Sequence, residues 1–129
     1  MAVKILLVDD EPDILKLIGE RLKKWGYGVS LAATGKEAVD IVKTDNPDIV
    51  ILDYMMPDMD GIATLQEIRK IDKKVRVIMF TAYPDKKSIK TSDEYGISAY
   101  VPKFGIFDSG VESLKKSLEL LAKSLNKKK

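Results

Sequence analysis

The sequence predicts a doubly wound α/β domain: a five-stranded parallel sheet in the order 2-1-3-4-5 with helices on both faces. Two observations predict it. Short apolar runs alternate with helical patterns along the whole chain, as βα units in a parallel sheet require. Two of the runs, "DIVILD" and "VRVIMF", are continuous rather than alternating, the pattern of central strands buried on both faces. The 129 residues fit one compact domain with a real core. A single domain is expected over 1–129, with a basic tail at about 126–129.

The elements follow in order. "VKILLV" (Val3 to Val8) is the first strand, bounded by acids. Pro12 suits the first turn of a helix. Ile14, Ile18, Leu22 and Trp25 then fall on one face, and Gly26 can close the end. "YGVSLA" (Tyr27 to Ala32) alternates and should be an edge strand. "TGKE" (Thr34 to Glu37) is a capping box for a helix carrying Ala38, Val39, Ile41 and Val42. "DIVILD" (Asp48 to Asp53) is the third strand. Asp60 can cap a third helix with Ile62, Leu65 and Ile68 facing inward. "VRVIMF" (Val75 to Phe80) is the fourth strand, and "SAYV" (Ser98 to Val101) is a short fifth that stops at Pro102.

Between those last strands, Pro84 to Gly96 should be helical by alternation. It offers little apolar surface beyond Ile89 and Tyr95, and Thr91, Ser92 and Asp93 are mediocre helix formers. A marginal, mobile helix is expected there, a candidate for switching. "SGVE" (Ser109 to Glu112) reads as a capping box for a final helix. Its stripe of Val111, Leu114, Leu118, Leu121 and Leu125 is read as core.

Composition narrows the function. Cysteine and histidine are both absent, which removes disulfides, thiolate metal sites, imidazole ligands and histidine phosphoacceptors. A net charge of +2 is too mild to argue for a nucleic-acid partner. No apolar run reaches the length of a membrane span, and the Met1-to-Val8 stretch lacks the features of a signal peptide. A cytoplasmic location is expected, with no membrane partner.

The 2-1-3-4-5 order places a site at the carboxyl ends of the first and third strands, where the order reverses. That rule brings Asp9, Asp10 and Asp53 into one crevice. Two carboxylates about 5 Å apart, at an effective dielectric of about 20, repel by roughly 3 kcal/mol. Three must gain a proton, a cation or both. Oxygen ligands alone suit a hard ion, foremost Mg²⁺. Thr81 and Lys103 stand at the ends of the fourth and fifth strands and point to the same place. Singly, each has a bland reading: a helix cap for an aspartate, a strand-end hydroxyl for Thr81, a solvated lysine for Lys103. Acids, hydroxyl and lysine together on the carboxyl ends of four strands are harder to explain that way.

With the motifs "LLVDDEP", "ILDYMMPDMDG", "FTAY" and "AYVPKF" in order, the chain resembles the receiver domain of two-component response regulators. It is most like the single-domain, chemotaxis-regulator type. The resemblance runs from about Val3 to Leu125 and implies a flavodoxin-like fold, for which the 2-1-3-4-5 order is itself familiar. It implies that Asp53 is the phosphoacceptor, attacking a phosphohistidine on a sensor histidine kinase or histidine phosphotransfer protein. It implies metal ligation of Mg²⁺, or Mn²⁺ in its place, by Asp10, Asp9, Asp53 and the backbone carbonyl of Met55. Thr81 and Lys103 would contact phosphoryl oxygens, and Thr81 with Tyr100 would form the switch. The chain departs from the family in carrying Pro102 before Lys103 and Phe104 after it, where proline usually follows the lysine. Phe104, Ile106 and Phe107 are read as loop anchors packed inward, with an exposed docking patch as the alternative, and the turn around Ile14 as a kinase-docking surface by analogy.

The expected function is a stand-alone phosphoacceptor switch rather than an enzyme. Its output would be contact with an unknown downstream protein or onward phosphotransfer. A phosphatase with an aspartate nucleophile is a competing reading. Such enzymes commonly carry a second acid two residues on, where this chain has Met55. A binding module with a vestigial acidic site is the other alternative.

Overall fold

The computed structural model describes residues 2–54, 56, 60–81, 90, 93–102 and 109–127. Five strands form one sheet: β1 (Lys4–Val8), β2 (Gly28–Ala32), β3 (Ile49–Leu52), β4 (Arg76–Thr81) and β5 (Ala99–Pro102). Their order is β2-β1-β3-β4-β5, and every pairing is parallel. The helices are α1 (Pro12–Lys24), α2 (Gly35–Asp45), α3 (Gly61–Ile71) and a C-terminal helix, α4 (Ser109–Lys127).

Alternation along each strand divides the core in two, because successive side chains point to opposite faces. Leu6, Val8, Val50, Leu52, Val77 and Met79 pack with α2 and α3 residues, including Ala38, Val42, Leu65 and Ile68. Ile5, Leu7, Ile49, Ile51, Ile78 and Phe80 pack with Ile18 and Leu22 of α1 and Leu114 and Leu118 of α4. Both faces of the central strands are thus covered, which is why β3 reads as an unbroken apolar run. Ile14 and Trp25 border the second cluster, as do Val111, Leu121 and Leu125.

Helix ends follow local chemistry. Thr34 Oγ1 accepts from the Glu37 N–H at 3.1 Å. Glu37 Oε2 accepts from the Ala33 N–H at 2.8 Å, so the box closes one residue earlier than its usual form. Gly26 takes φ +95° after α1, and the Tyr27 N–H donates to the Leu22 carbonyl at 3.1 Å, the left-handed closure that glycine permits. Ser109 is already helical in α4, one residue earlier than a capping role would place it, a spread usual at helix ends.

Three strand ends differ by one residue from the sequence reading. Asp53 lies just beyond the last residue of β3 rather than within it. Thr81 is inside β4. Pro102 is inside β5, as the last residue of an edge strand. Of the weak Pro84 to Gly96 segment, Lys90, Asp93 and Glu94 are helical, and Gly96 takes φ +75°. Residues 84–89, 91 and 92, and the expectation that the segment is mobile, lie outside the described residues. So do the loop anchors Phe104, Ile106 and Phe107.

Arg69, near the end of α3, joins distant parts of the chain. Its guanidinium donates to the carbonyls of Tyr95 (2.7 Å), Asp72 (3.3 Å), Val75 (2.7 Å) and Gly96 (3.0 Å). Gln66 Nε2 donates to Tyr95 Oη at 2.9 Å, one turn earlier. Partial burial lowers the Arg69 pKa, and Asp72 opposes that shift. The group stays charged at any ordinary pH. Arg69→Met should therefore lower stability by about 2–4 kcal/mol, because carbonyls in half-buried turns lose charged donors. A urea midpoint unchanged from the parent chain would contradict this.

Candidate functional site

The carboxyl edge of the sheet gathers the acids through its backbone ladder. Val8 pairs with Ala32 on one side and Leu52 on the other. One residue further, the Asp9 N–H donates to the Ala32 carbonyl at 3.1 Å. The Asp53 N–H donates to the Val8 carbonyl at 3.0 Å. Hydrogen bonding thus continues one step past the strands and holds Asp9 and Asp53 at the ends of neighbouring strands. Asp9 Oδ1 accepts from the Glu11 N–H at 2.9 Å, a local turn that leads the chain into Pro12 and α1.

Asp9, Asp10 and Asp53 each offer a carboxylate oxygen, and these oxygens lie within 4.8 Å of one another. Asp9 and Asp53 are buried, at 1% and 3% exposure, while Asp10 is half-buried. Three carboxylates at this separation, two of them out of water, favour a bound cation. The donors are oxygen only, in a chain without histidine or cysteine. That donor set fits a hard divalent ion such as Mg²⁺ and is a poor match for softer metals.

Thr81 is fully buried at the end of β4. Leu52 pairs with Met79, so β4 runs two residues past the end of β3 and carries Thr81 to the same edge as Asp53. Tyr100 pairs with Met79 on β5 and is half-buried against the core face of α2 and α3. Pro102 stands opposite Thr81. Lys103 follows it in sequence but lies outside the described residues, as does Met55.

Gly61 was not singled out by sequence reasoning, and its role is steric. A Cβ there would sit 2.7 Å from Tyr54 Cα and closer still to the Asp53 carbonyl. Its N–H donates to the Tyr54 carbonyl at 2.8 Å. Asp60 caps the helix by accepting from the Ala63 N–H at 2.8 Å. The start of α3 is thereby pressed against the backbone that carries Asp53. The only sequence signal was a glycine directly after a helix cap, where an ordinary helix former would serve as well.

The chain matches the family described as "Response regulator receiver domain" over residues 5–115. It is 41% identical over 120 residues to sporulation initiation phosphotransferase F of Bacillus subtilis, covering 93% of this chain and 97% of that protein. It is 46% identical over 100 residues to a probable transcriptional regulator, ycf27, of Guillardia theta, of which it spans 39%. Among solved structures, it is similar to a CheY-like response regulator receiver domain protein from Methanospirillum hungatei. The TM-score is 0.87 at 28% identity, covering 98% of this chain and 99% of that one. The chemotaxis protein CheY4 of Vibrio cholerae gives a TM-score of 0.86 at 26% identity, covering 94% and 99%.

The contact at Gly61 yields a prediction with a clear sign. Helix propensity alone would make Gly61→Ala stabilising by up to about 1 kcal/mol. Steric conflict with the Asp53–Tyr54 backbone should instead make it destabilising, by about 2 kcal/mol or more. A thermal or urea melt that shows Gly61→Ala equal to or above the parent would refute the close approach.

Proposed function

Because this chain belongs to the response regulator receiver domain family of two-component signalling, we propose that Asp53 is its phosphoacceptor. The observation that carries the reading is the convergence of three carboxylates at the carboxyl edge of the sheet. A carboxylate oxygen of Asp53 attacks the phosphorus of a phosphohistidine on a sensor histidine kinase or histidine phosphotransfer protein. The new O–P bond forms as the P–N bond breaks, and the imidazole leaves with its electron pair. Asp53 attacks as the carboxylate, so the step needs no general base. What such a transfer demands is placement and charge neutralisation.

The remaining residues supply those two things. Asp10 and Asp9, with Asp53 and the Met55 carbonyl, would hold Mg²⁺ or Mn²⁺. When bound, the ion offsets negative charge on the phosphoryl oxygens. The Thr81 hydroxyl would donate a hydrogen bond to one phosphoryl oxygen, and the Lys103 ammonium would pair with another. Movement of Thr81 toward the phosphoryl group would free space that Tyr100 then occupies. Differential contact of this kind biases a two-state surface.

The single domain would then act as a switch, and catalysis on an outside substrate is not part of the proposal. Its output is a contact with a downstream protein or onward phosphotransfer. Onward transfer draws support from the relative named a phosphotransferase, nearly all of which this chain spans. Among the described residues no helix is long and apolar enough to cross a membrane, and we place the protein in the cytoplasm. No nucleic-acid contact is proposed.

Intact mass measured after incubation with a small acyl or amidate phosphodonor tests the central claim. Gain of one phosphoryl group is expected, dependent on Mg²⁺ and lost on chelation or in Asp53→Asn. Unmodified protein with an intact fold would sink the proposal. For the lysine, Lys103→Ala should still accept the phosphoryl group yet lose the accompanying NMR shift at Tyr100. A Tyr100 response as large as in the parent would count against the role given to Lys103.

A further inference from the structure

A groove on the α3 side of the molecule lies apart from the acidic crevice. Its volume is about 420 Å³, and it is lined by Gln66, Arg69, Lys70, Lys73 and Tyr95. That size is within the range of sites that hold a ligand or a partner's side chain. Three of the lining residues are cations with long aliphatic stems, able to cover apolar surface while keeping the charge in water. Tyr95 adds an aromatic ring with one polar end.

The local charge is concentrated and largely uncompensated. The stretch "RKIDKKVR" (Arg69 to Arg76) holds five basic residues and one acid, in a chain whose net charge is only +2. That acid, Asp72, is turned onto its own loop, where Oδ1 accepts from the N–H groups of Lys74 (2.8 Å) and Val75 (3.0 Å). Lys70 pairs with Glu67 at 3.0 Å, an exposed pair of the kind that contributes little. Lys73 has no acidic partner within ion-pair distance among the described residues.

The groove is also pre-formed. Arg69 and Gln66 hold Tyr95 in place through its carbonyl at 2.7 Å and its hydroxyl at 2.9 Å. A wall that is already ordered loses less conformational entropy when something binds. Gln66 stands six residues after the Asp60 cap, about 9 Å along the helix from the end that abuts Asp53. An occupant here would leave the crevice open.

We infer that this groove is a docking site for an acidic segment of a partner protein, one with an apolar or aromatic side chain between its carboxylates. The cations of Arg69, Lys70 and Lys73 complement the acids, and the stems with the Tyr95 ring receive the apolar group. Nucleic acid is a poorer match, because the walls are stems and one ring rather than an extended basic face. The site does not depend on the state of Asp53.

The test uses the full chain, labelled with ¹⁵N, and a synthetic peptide in which leucine and phenylalanine are flanked by glutamates. Amide shifts at Gln66, Arg69, Lys70, Lys73 and Tyr95 are expected on titration. Affinity should fall about five-fold or more between 50 and 300 mM salt, as screening predicts. The double variant Lys70→Glu/Lys73→Glu should weaken binding at least about ten-fold, since two attractive charges become repulsive. Both lysines are exposed, and an unchanged thermal melt would show that the fold survives. Asp53→Asn should bind the peptide like the parent, which separates this site from the phosphoacceptor reading. Shifts confined to other lysines, or binding untouched by the double variant, would overturn the inference. So would tighter binding of a single-stranded oligonucleotide at the same residues, or concentration-dependent shifts there without peptide, which would mark a contact between copies.

Discussion

Like charges held together at the end of a buried sheet are the constraint on which this structure turns. Carboxylate oxygens of Asp9, Asp10 and Asp53 stand within 4.8 Å of one another, and two of these residues are almost wholly buried. At such distances each pair repels by roughly 3 kcal/mol even with generous screening. Folding must hold them there against that repulsion. It does so by attaching both buried acids to strands whose backbone bonds continue past the strand ends, Asp9 to Ala32 and Asp53 to Val8. The apolar runs before them fill both faces of the sheet, so neither strand can slide without exposing its core. Stability stored in the core is what keeps the acidic edge in place.

The same edge shows how the parts serve one another. β4 overruns β3 by two residues in register, and that overrun carries Thr81 to the same edge of the sheet as Asp53. Gly61 lets α3 begin against the Asp53 backbone, so the helix start and the chain leaving β3 share one close junction. At its other end, α3 holds Tyr95 and Gly96 through Arg69, only a few residues before Tyr100 on β5. A single helix therefore touches both the acidic edge and the segment leading into β5. The proposed docking groove uses that far end, where the cations of Lys70 and Lys73 gather beside a fixed tyrosine.

Much of this was legible in the chain. Strand and helix positions came within a residue or so because apolar periodicity and caps report burial directly, as at Val50, Leu52, Thr34 and Asp60. Asp9, Asp10 and Asp53 could be grouped because strand order alone sends those ends to one place. Gly61 and Arg69 were not legible. A glycine after a cap and an arginine on a helix face are ordinary in sequence, and their partners lie across turns or more than twenty residues away. Glu37 was placed correctly in its box, but its carboxylate accepts from the Ala33 N–H rather than from that of Thr34, a choice made by side-chain reach rather than spacing.

The sequence by itself determined the elements, the parallel sheet, the acids at its carboxyl edge and the family to which the chain belongs. Burial sets these, and burial is written locally as the pattern of apolar and polar residues. Tertiary structure alone decided how closely the acids converge, that Asp53 stands one residue past its strand, that α3 must start with a glycine, and that Arg69 fastens Tyr95. These depend on register and contact between segments distant along the chain. A shift of one residue changes such contacts completely and leaves the local pattern almost the same.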